Sequence, residues 1–171
     1  MRIELEKLDG TNVRFAHLFE AGELSLDDGR AELKGPAEIS GRIDRDGAKA
    51  RIRGKLATQV GLDCDRCLRP VVIPIAVSFN LSYVPASEYE AEPLEELGSD
   101  DLPVAVFDGE VIDIDELVRE QVILELPARV LCREDCKGLC PVCGIDKNLK
   151  DCECESHPVD PRWAALSDFR S

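Results

Sequence analysis

Apolar and polar positions alternate with a period of two over much of residues 31 to 83. Two runs of alternating or β-branched character stand out, Ala50 to Val60 and Val71 to Tyr83, separated by a short connection that carries cysteines. Alternation at this period gives a strand one buried and one solvated face, so both runs are expected to be strands. Asp46-Gly47 is a turn signal between Ile39 to Ile43 and Lys49 to Ile52, which makes an antiparallel meander the economical arrangement. Shorter strands are expected at Val104 to Val106 and Val111 to Ile112. The period then changes. Ile114, Leu117, Val118, Gln121, Val122 and Glu125 recur at helical spacing, behind Asp113, Asp115 and Glu116. Carboxylates are favoured at that end of a helix by the aligned peptide dipoles, and the helix should stop before Pro127. Asp160-Pro161 offers a cap and a first helical residue for Trp163, Leu166 and Phe169, predicting a short C-terminal helix.

These elements describe an α+β protein: a β-rich antiparallel domain with one main helix, a Cys-rich segment and a short C-terminal helix. The expected division places the β-rich domain with its closing helix at residues 1–126, and the Cys-rich segment with the C-terminal helix packed on it at 127–171. A chain of 171 residues, 44% hydrophobic, is long enough to bury such a core. The opening MRIELEKLDG has no apolar run of the kind a secretory signal needs, and the longest apolar stretch, Val71 to Val77, contains Pro74 and is far too short to span a bilayer. A cytoplasmic protein with no membrane partner is expected.

Charge refines the picture. The formal net charge is −14, so extensive binding of nucleic acid over the whole surface is disfavoured. Locally the balance reverses: Arg42, Arg45, Lys49, Arg51, Arg53 and Lys55 face only Asp44 and Asp46 between Gly41 and Lys55. The segment Ala86 to Asp101 has seven carboxylates and no Lys or Arg; it suits a solvated loop or a docking site for a basic partner.

Eight cysteines in a chain without an export signal point to metal binding rather than disulfides. Cys64 and Cys67, and Cys140 and Cys143, form two CxxC turns; Cys132 and Cys136 precede the second, and Cys152 and Cys154 follow it. A CxxC turn aims two thiolates at one point, and a tetrahedral zinc ion (Zn2+) takes two such pairs. One grouping joins Cys140, Cys143, Cys152 and Cys154 locally, and joins Cys64 and Cys67 to Cys132 and Cys136, clamping a strand-borne turn to the tail. The long closure costs little more than a short one because the entropy grows logarithmically with loop length. The other grouping unites Cys64, Cys67, Cys140 and Cys143 in one ribbon-like site and leaves four cysteines free. An iron–sulfur cluster, a thiol redox centre and inert thiols are the alternatives to zinc. A redox CxxC usually opens a helix, whereas Leu-Arg-Pro and a strand follow Cys67. Arg66, Arg69, Arg133, Lys137, Lys147 and Lys150 lie close enough in sequence to offset the thiolate charge.

Catalysis has little support. The histidines are His17, in a segment of mixed character, and His157, beside Pro158 and close enough to Cys154 to act as a substitute ligand; the bland role for either is surface or packing. No catalytic residue is assigned.

The string LCREDCKGLCPVCGIDKNLKDCEC at 131 to 154, CDRCLRP at 64 to 70 and the ending DPRWAALSDF resemble the YceD family (DUF177), the large ribosomal RNA subunit accumulation proteins, from roughly residue 30 to the end. The resemblance implies a bacterial cytosolic protein, related to plastid proteins, needed for normal levels or processing of large-subunit (23S) ribosomal RNA, and it supplies no catalytic residues. Ribosomal RNA or basic large-subunit ribosomal proteins are the expected partners, with no small-molecule substrate. The expected function is that of a non-enzymatic zinc-binding factor in ribosome biogenesis; the alternatives are a thiol or metal redox sensor and an rRNA-processing enzyme, which would need a magnesium-binding carboxylate cluster or a placed base.

Overall fold

The structure is a computed structural model, described here for residues 1–8, 11–20, 22–89, 104–154 and 162–163. It has two compact units, residues 1–62 with 71–128, and residues 63–70 with 129–171. The acidic stretch lies largely outside the described residues, as do His157 and all of the expected C-terminal helix except Arg162 and Trp163.

The first unit is built on one mixed sheet. Strands β2 (Asn12–Phe19), β4 (Ala37–Asp46), β5 (Lys49–Asp63), β6 (Pro70–Pro85) and β7 (Val104–Phe107) are neighbours in that order, and the short β3 (Glu32–Leu33) pairs with β5. β4 and β5 form a hairpin whose register, Asp46 opposite Lys49, leaves Gly47 and Ala48 as a two-residue turn. Gly47 sits at φ +62° and Ala48 at negative φ, the φ pattern of the II′ turn that matches strand twist. β6 and β7 run parallel, a departure from a purely antiparallel domain. Parallel neighbours need a crossover connection of a dozen or more residues, and residues 86–103, which include the short helix α1 (Ala86–Tyr89), supply that length.

Alternation along β4 and β5 buries Ile39, Ile43, Ile52, Leu56 and Val60 completely. Helix α2 (Ile114–Glu125) adds Ile114, Leu117, Val118 and Val122 to the core; each such side chain contributes roughly 1.5–3 kcal/mol of transfer free energy. Its cap is Asp113, whose carboxylate accepts from the N–H groups of Asp115 (3.0 Å) and Glu116 (3.4 Å), and it ends at Glu125, ahead of Pro127 as expected. Gly41 and Gly54 face each other in register, and a Cβ on Gly54 would lie 2.6 Å from the ring of Phe79. The missing side chain lets that ring close over the strand.

The N-terminal residues hold two strands that the hydrophobic pattern did not reveal. β1 (Arg2–Glu4) pairs with β8 (Val111–Asp113), and β2 lines up along β4, with His17 packed edge-on to Phe19 at 4.4 Å. No helix among the described residues is long and apolar enough to cross a membrane.

Candidate metal centre

All eight cysteines lie in the second unit, in two groups of four. The sulfurs of Cys64, Cys67, Cys132 and Cys136 lie within 4.8 Å of one another, and so do those of Cys140, Cys143, Cys152 and Cys154. In the first group Cys64 and Cys136 are 3.9 Å apart, and Cys67 and Cys132 are 3.6 Å apart. These separations are far beyond a sulfur–sulfur bond of about 2.05 Å, and every cysteine is free. Each group can hold a metal ion.

The two CxxC turns share one backbone design. Leu68 N–H donates to the Cys64 carbonyl (2.9 Å), and Gly144 N–H to the Cys140 carbonyl (2.9 Å); Cys64 N–H donates to the Arg69 carbonyl (2.9 Å), and Cys140 N–H to the Ile145 carbonyl (2.8 Å). The residue after each second cysteine is left-handed, Leu68 at φ +57° and Gly144 at φ +73°. That geometry turns successive N–H groups toward sulfur: those of Arg66 and Cys67 reach Cys64, and those of Val142 and Cys143 reach Cys140. Glycine adopts the conformation freely, whereas Leu68, largely exposed, carries about 1–2 kcal/mol of backbone strain.

Supporting residues surround the first group. Asn148 donates from Nδ2 to Cys136 Sγ (3.4 Å), while its Oδ1 accepts from Lys137 N–H (2.8 Å) and Arg133 Nη2 (2.9 Å). Asp146 accepts from Asn148 N–H (2.8 Å) and from Arg69 Nη2 (2.7 Å). Arg66 Nη1 donates to the Cys136 carbonyl (2.6 Å), and Asp65 exchanges two hydrogen bonds with Val130, one through its side chain and one through its N–H. Four of the six basic residues singled out in the sequence therefore use their side chains to brace this unit; Lys137 does so at 4.0 Å from Asp151. Lys147 and Lys150 contribute backbone N–H groups to the Gly138 and Asp146 carbonyls. Asp146 and Asn148 had no visible signal beyond two turn-forming residues after CPVCGI.

Acidity within each group is divided. Burial opposes ionisation of Cys64, yet the N–H groups of Cys132, Arg66 and Cys67 bring its thiol down to about 6. Burial likewise opposes ionisation of Cys136, and Asn148 and the Gly138 N–H lower it. Burial and the sulfurs around it push Cys132 up to about 12. Cys67 is raised: the Arg69 N–H favours its thiolate, but burial and the Cys136 and Cys64 sulfurs outweigh that. In the second group the N–H groups of Cys143 and Val142 bring Cys140 down to about 6, and the Cys143 sulfur together with burial pushes Cys154 up to about 12. Cys152 is raised by the Cys140 sulfur and burial, against the Cys154 N–H. Four adjacent thiolates repel one another, and a divalent cation is what lets all four ionise together.

Burial distinguishes the groups. Cys64, Cys67 and Cys136 are buried in the first, whereas only Cys140 is buried in the second and Cys143 and Cys154 are exposed.

Comparison with known proteins gives these residues a context. The sequence profile described as "Large ribosomal RNA subunit accumulation protein YceD" matches residues 52–170, a span that contains all eight cysteines. An uncharacterized protein of Mycobacterium tuberculosis is 32% identical over 120 residues, 69% of this chain and 54% of that protein; the chain thus spans about half the length of this relative. YlbN of Bacillus subtilis is 26% identical over 164 residues, 95% of this chain and 91% of its own. A chloroplastic protein of Arabidopsis thaliana, named large ribosomal RNA subunit accumulation protein YCED homolog 1, is 27% identical over 162 residues, 79% of this chain and 49% of that one. No solved structure matches the chain. With the profile covering well over half of its length, the chain belongs to the YceD family, the large ribosomal RNA subunit accumulation proteins.

Proposed function

We propose that the chain is a non-enzymatic, cytoplasmic zinc-binding factor that supports accumulation of large-subunit (23S) ribosomal RNA and assembly of the subunit, with Cys64, Cys67, Cys132 and Cys136 holding one ion and Cys140, Cys143, Cys152 and Cys154 another. The gathering of eight thiols into two sets of four carries this reading. Zinc bound tetrahedrally at about 2.3 Å sets sulfur–sulfur edges of about 3.8 Å, and the first set has 3.6 and 3.9 Å. Zinc has no redox chemistry, and a four-thiolate site leaves no open position for substrate, which agrees with a structural role. The ribosomal part rests on the family description and on the name of the plant relatives.

Two measurements test the proposal. Elemental analysis of freshly purified, reduced protein should give close to two zinc ions per chain; bound iron with a visible absorption band would replace zinc by a cluster. Cells depleted of the protein should lose 23S relative to 16S ribosomal RNA and regain it when the chain is supplied. Unchanged ribosomal RNA on depletion would remove the ribosomal role.

A further inference from the structure

The net charge of −14 conceals a division along the chain. Residues 1–62 hold eleven Lys and Arg and eleven Asp and Glu, whereas residues 71–128 hold fourteen acids against Arg119 alone. The anionic excess of the first unit therefore belongs to its second half, and the strands that come first in sequence are free to present a different surface.

On the solvent face of β2, β4 and β5 the register sets Arg14 opposite Arg42 and Arg42 opposite Arg53. Three arginines thus stand side by side across three strands. The row on one side is Asn12, Asp44 and Arg51, and on the other Ala16, Ser40 and Lys55. Like charges directly opposed on a sheet are destabilising, and Asp44, which pairs with Arg53 and lies 3.7 Å from Arg42, neutralises only part of the row. Arg14, Arg51 and Lys55 are exposed and reach no carboxylate among the described residues. Arg53 Nε is buried without a hydrogen-bond partner. An anion lying on this face would offset that cost.

Two concavities flank the row. One, of about 370 Å³, sets Arg45, Lys49, Arg51 and Arg53 against Asp44 and Asp46, so cations outnumber carboxylates two to one; the other, of about 330 Å³, holds Lys55 and Glu38 over Ser40, Ala57 and Ser78. The three rows contain no aromatic or large apolar side chain, so they offer neither a platform on which bases stack nor the buried anchors of a protein interface. They offer arginine forks, which take phosphate oxygens in pairs. Alternate residues along β5 are about 7 Å apart, comparable with the spacing of successive phosphates on a nucleic-acid strand.

We propose that this face, centred on Arg14, Arg42 and Arg53, binds the phosphodiester backbone of RNA without reading its sequence. The choice of RNA rests on the ribosomal role proposed above. Fluorescence anisotropy with the zinc-loaded full chain and two labelled single-stranded RNAs of unrelated sequence tests it between about 50 and 200 mM salt. Both RNAs should bind equally, and Arg14→Ala or Arg51→Ala should each weaken binding and lower the slope of log K against log salt by about 0.7. Lys7→Ala, outside the three rows and paired with Glu4, should leave the slope unchanged. Absence of binding by the native chain, an unchanged slope in both arginine variants, or the same change in Lys7→Ala would overturn the proposal. So would displacement of RNA by polyglutamate more readily than by unlabelled RNA, which would assign the face to an acidic protein. In depleted cells, the Arg14→Glu, Arg51→Glu double variant should fail to restore 23S ribosomal RNA. If it restores the RNA as the native chain does, the face is wrong and the ribosomal role stands; if the native chain itself fails, the ribosomal role falls.

Discussion

Two glycines in the Cys-rich unit share a backbone conformation and differ in their surroundings, which makes their substitution by alanine a measurement of one contact. Gly138 is at φ +75° and Gly144 at φ +73°. At either site a Cβ brings the left-handed penalty of about 1–2 kcal/mol, offset by about 0.4–1 kcal/mol from a less flexible unfolded chain. At Gly144 nothing lies within 4 Å of the new atom, so the balance ends there. At Gly138 the Cβ would sit 2.9 Å from the Arg66 carbonyl oxygen, which already accepts the Leu139 N–H at 2.9 Å. Moving that carbonyl away forfeits a hydrogen bond of about 0.5–1.5 kcal/mol, and the Cys64–Cys67 turn that contains it moves too. Gly138→Ala should therefore cost about 1–2 kcal/mol more than Gly144→Ala. The assay is urea-driven zinc release from the full chain, followed with a chromogenic chelator; with a slope near 1 kcal/mol/M for so small a unit, the midpoints should differ by about 1 M or more. Equal midpoints, or a greater loss in Gly144→Ala, would refute the contact between Gly138 and Arg66.

Three further outcomes follow from the same geometry. Zinc uptake at pH 7 should release at least two protons per ion, because Cys67 and Cys132 in one set and Cys152 and Cys154 in the other are held above the ordinary thiol range. The bound form carries fewer protons, so affinity falls as pH falls, by about a hundredfold per pH unit; calorimetry in buffers of different ionisation enthalpy counts the protons, and release of none would contradict the arrangement. Asn148→Ala removes the donor to Cys136 and the acceptor for Lys137 and Arg133, and should weaken zinc about 10- to 100-fold in the first set alone, as read by competition with a chelator; equal weakening at both sets would count against the assignment. Gly54→Ala places a Cβ 2.5 Å from the Ser40 carbonyl and 2.6 Å from the Phe79 ring, and should destabilise the sheet by about 1–3 kcal/mol in urea unfolding, while a loss below about 0.5 kcal/mol would mean that the ring has room to move.

What the residues determined unaided was local. Period two in β4, β5 and β6, the cap at Asp113, the stop ahead of Pro127 and the CxxC turns each depend on contacts within a few positions, so the order of side chains suffices to specify them. The CxxC turns are legible for a further reason: a turn of that length has few ways to aim two sulfurs at one point, and the backbone then repeats from Cys64 to Cys140 even though leucine replaces glycine after the second cysteine. Tertiary structure decided what lies between distant segments. Sequence spacing left two groupings of the cysteines open, because loop-closure entropy changes too slowly with length to choose among them; the fold gathers Cys64 and Cys67 with Cys132 and Cys136. The short β1 has too few residues to show a period, and it forms because β8, more than a hundred positions away, supplies its hydrogen bonds. Arg14 is one charged residue in a mixed segment until β2 pairs with β4 and the register sets it beside Arg42 and Arg53. Each alignment belongs to the pairing of strands, and a strand's own sequence carries no mark of the residue that will lie across from it.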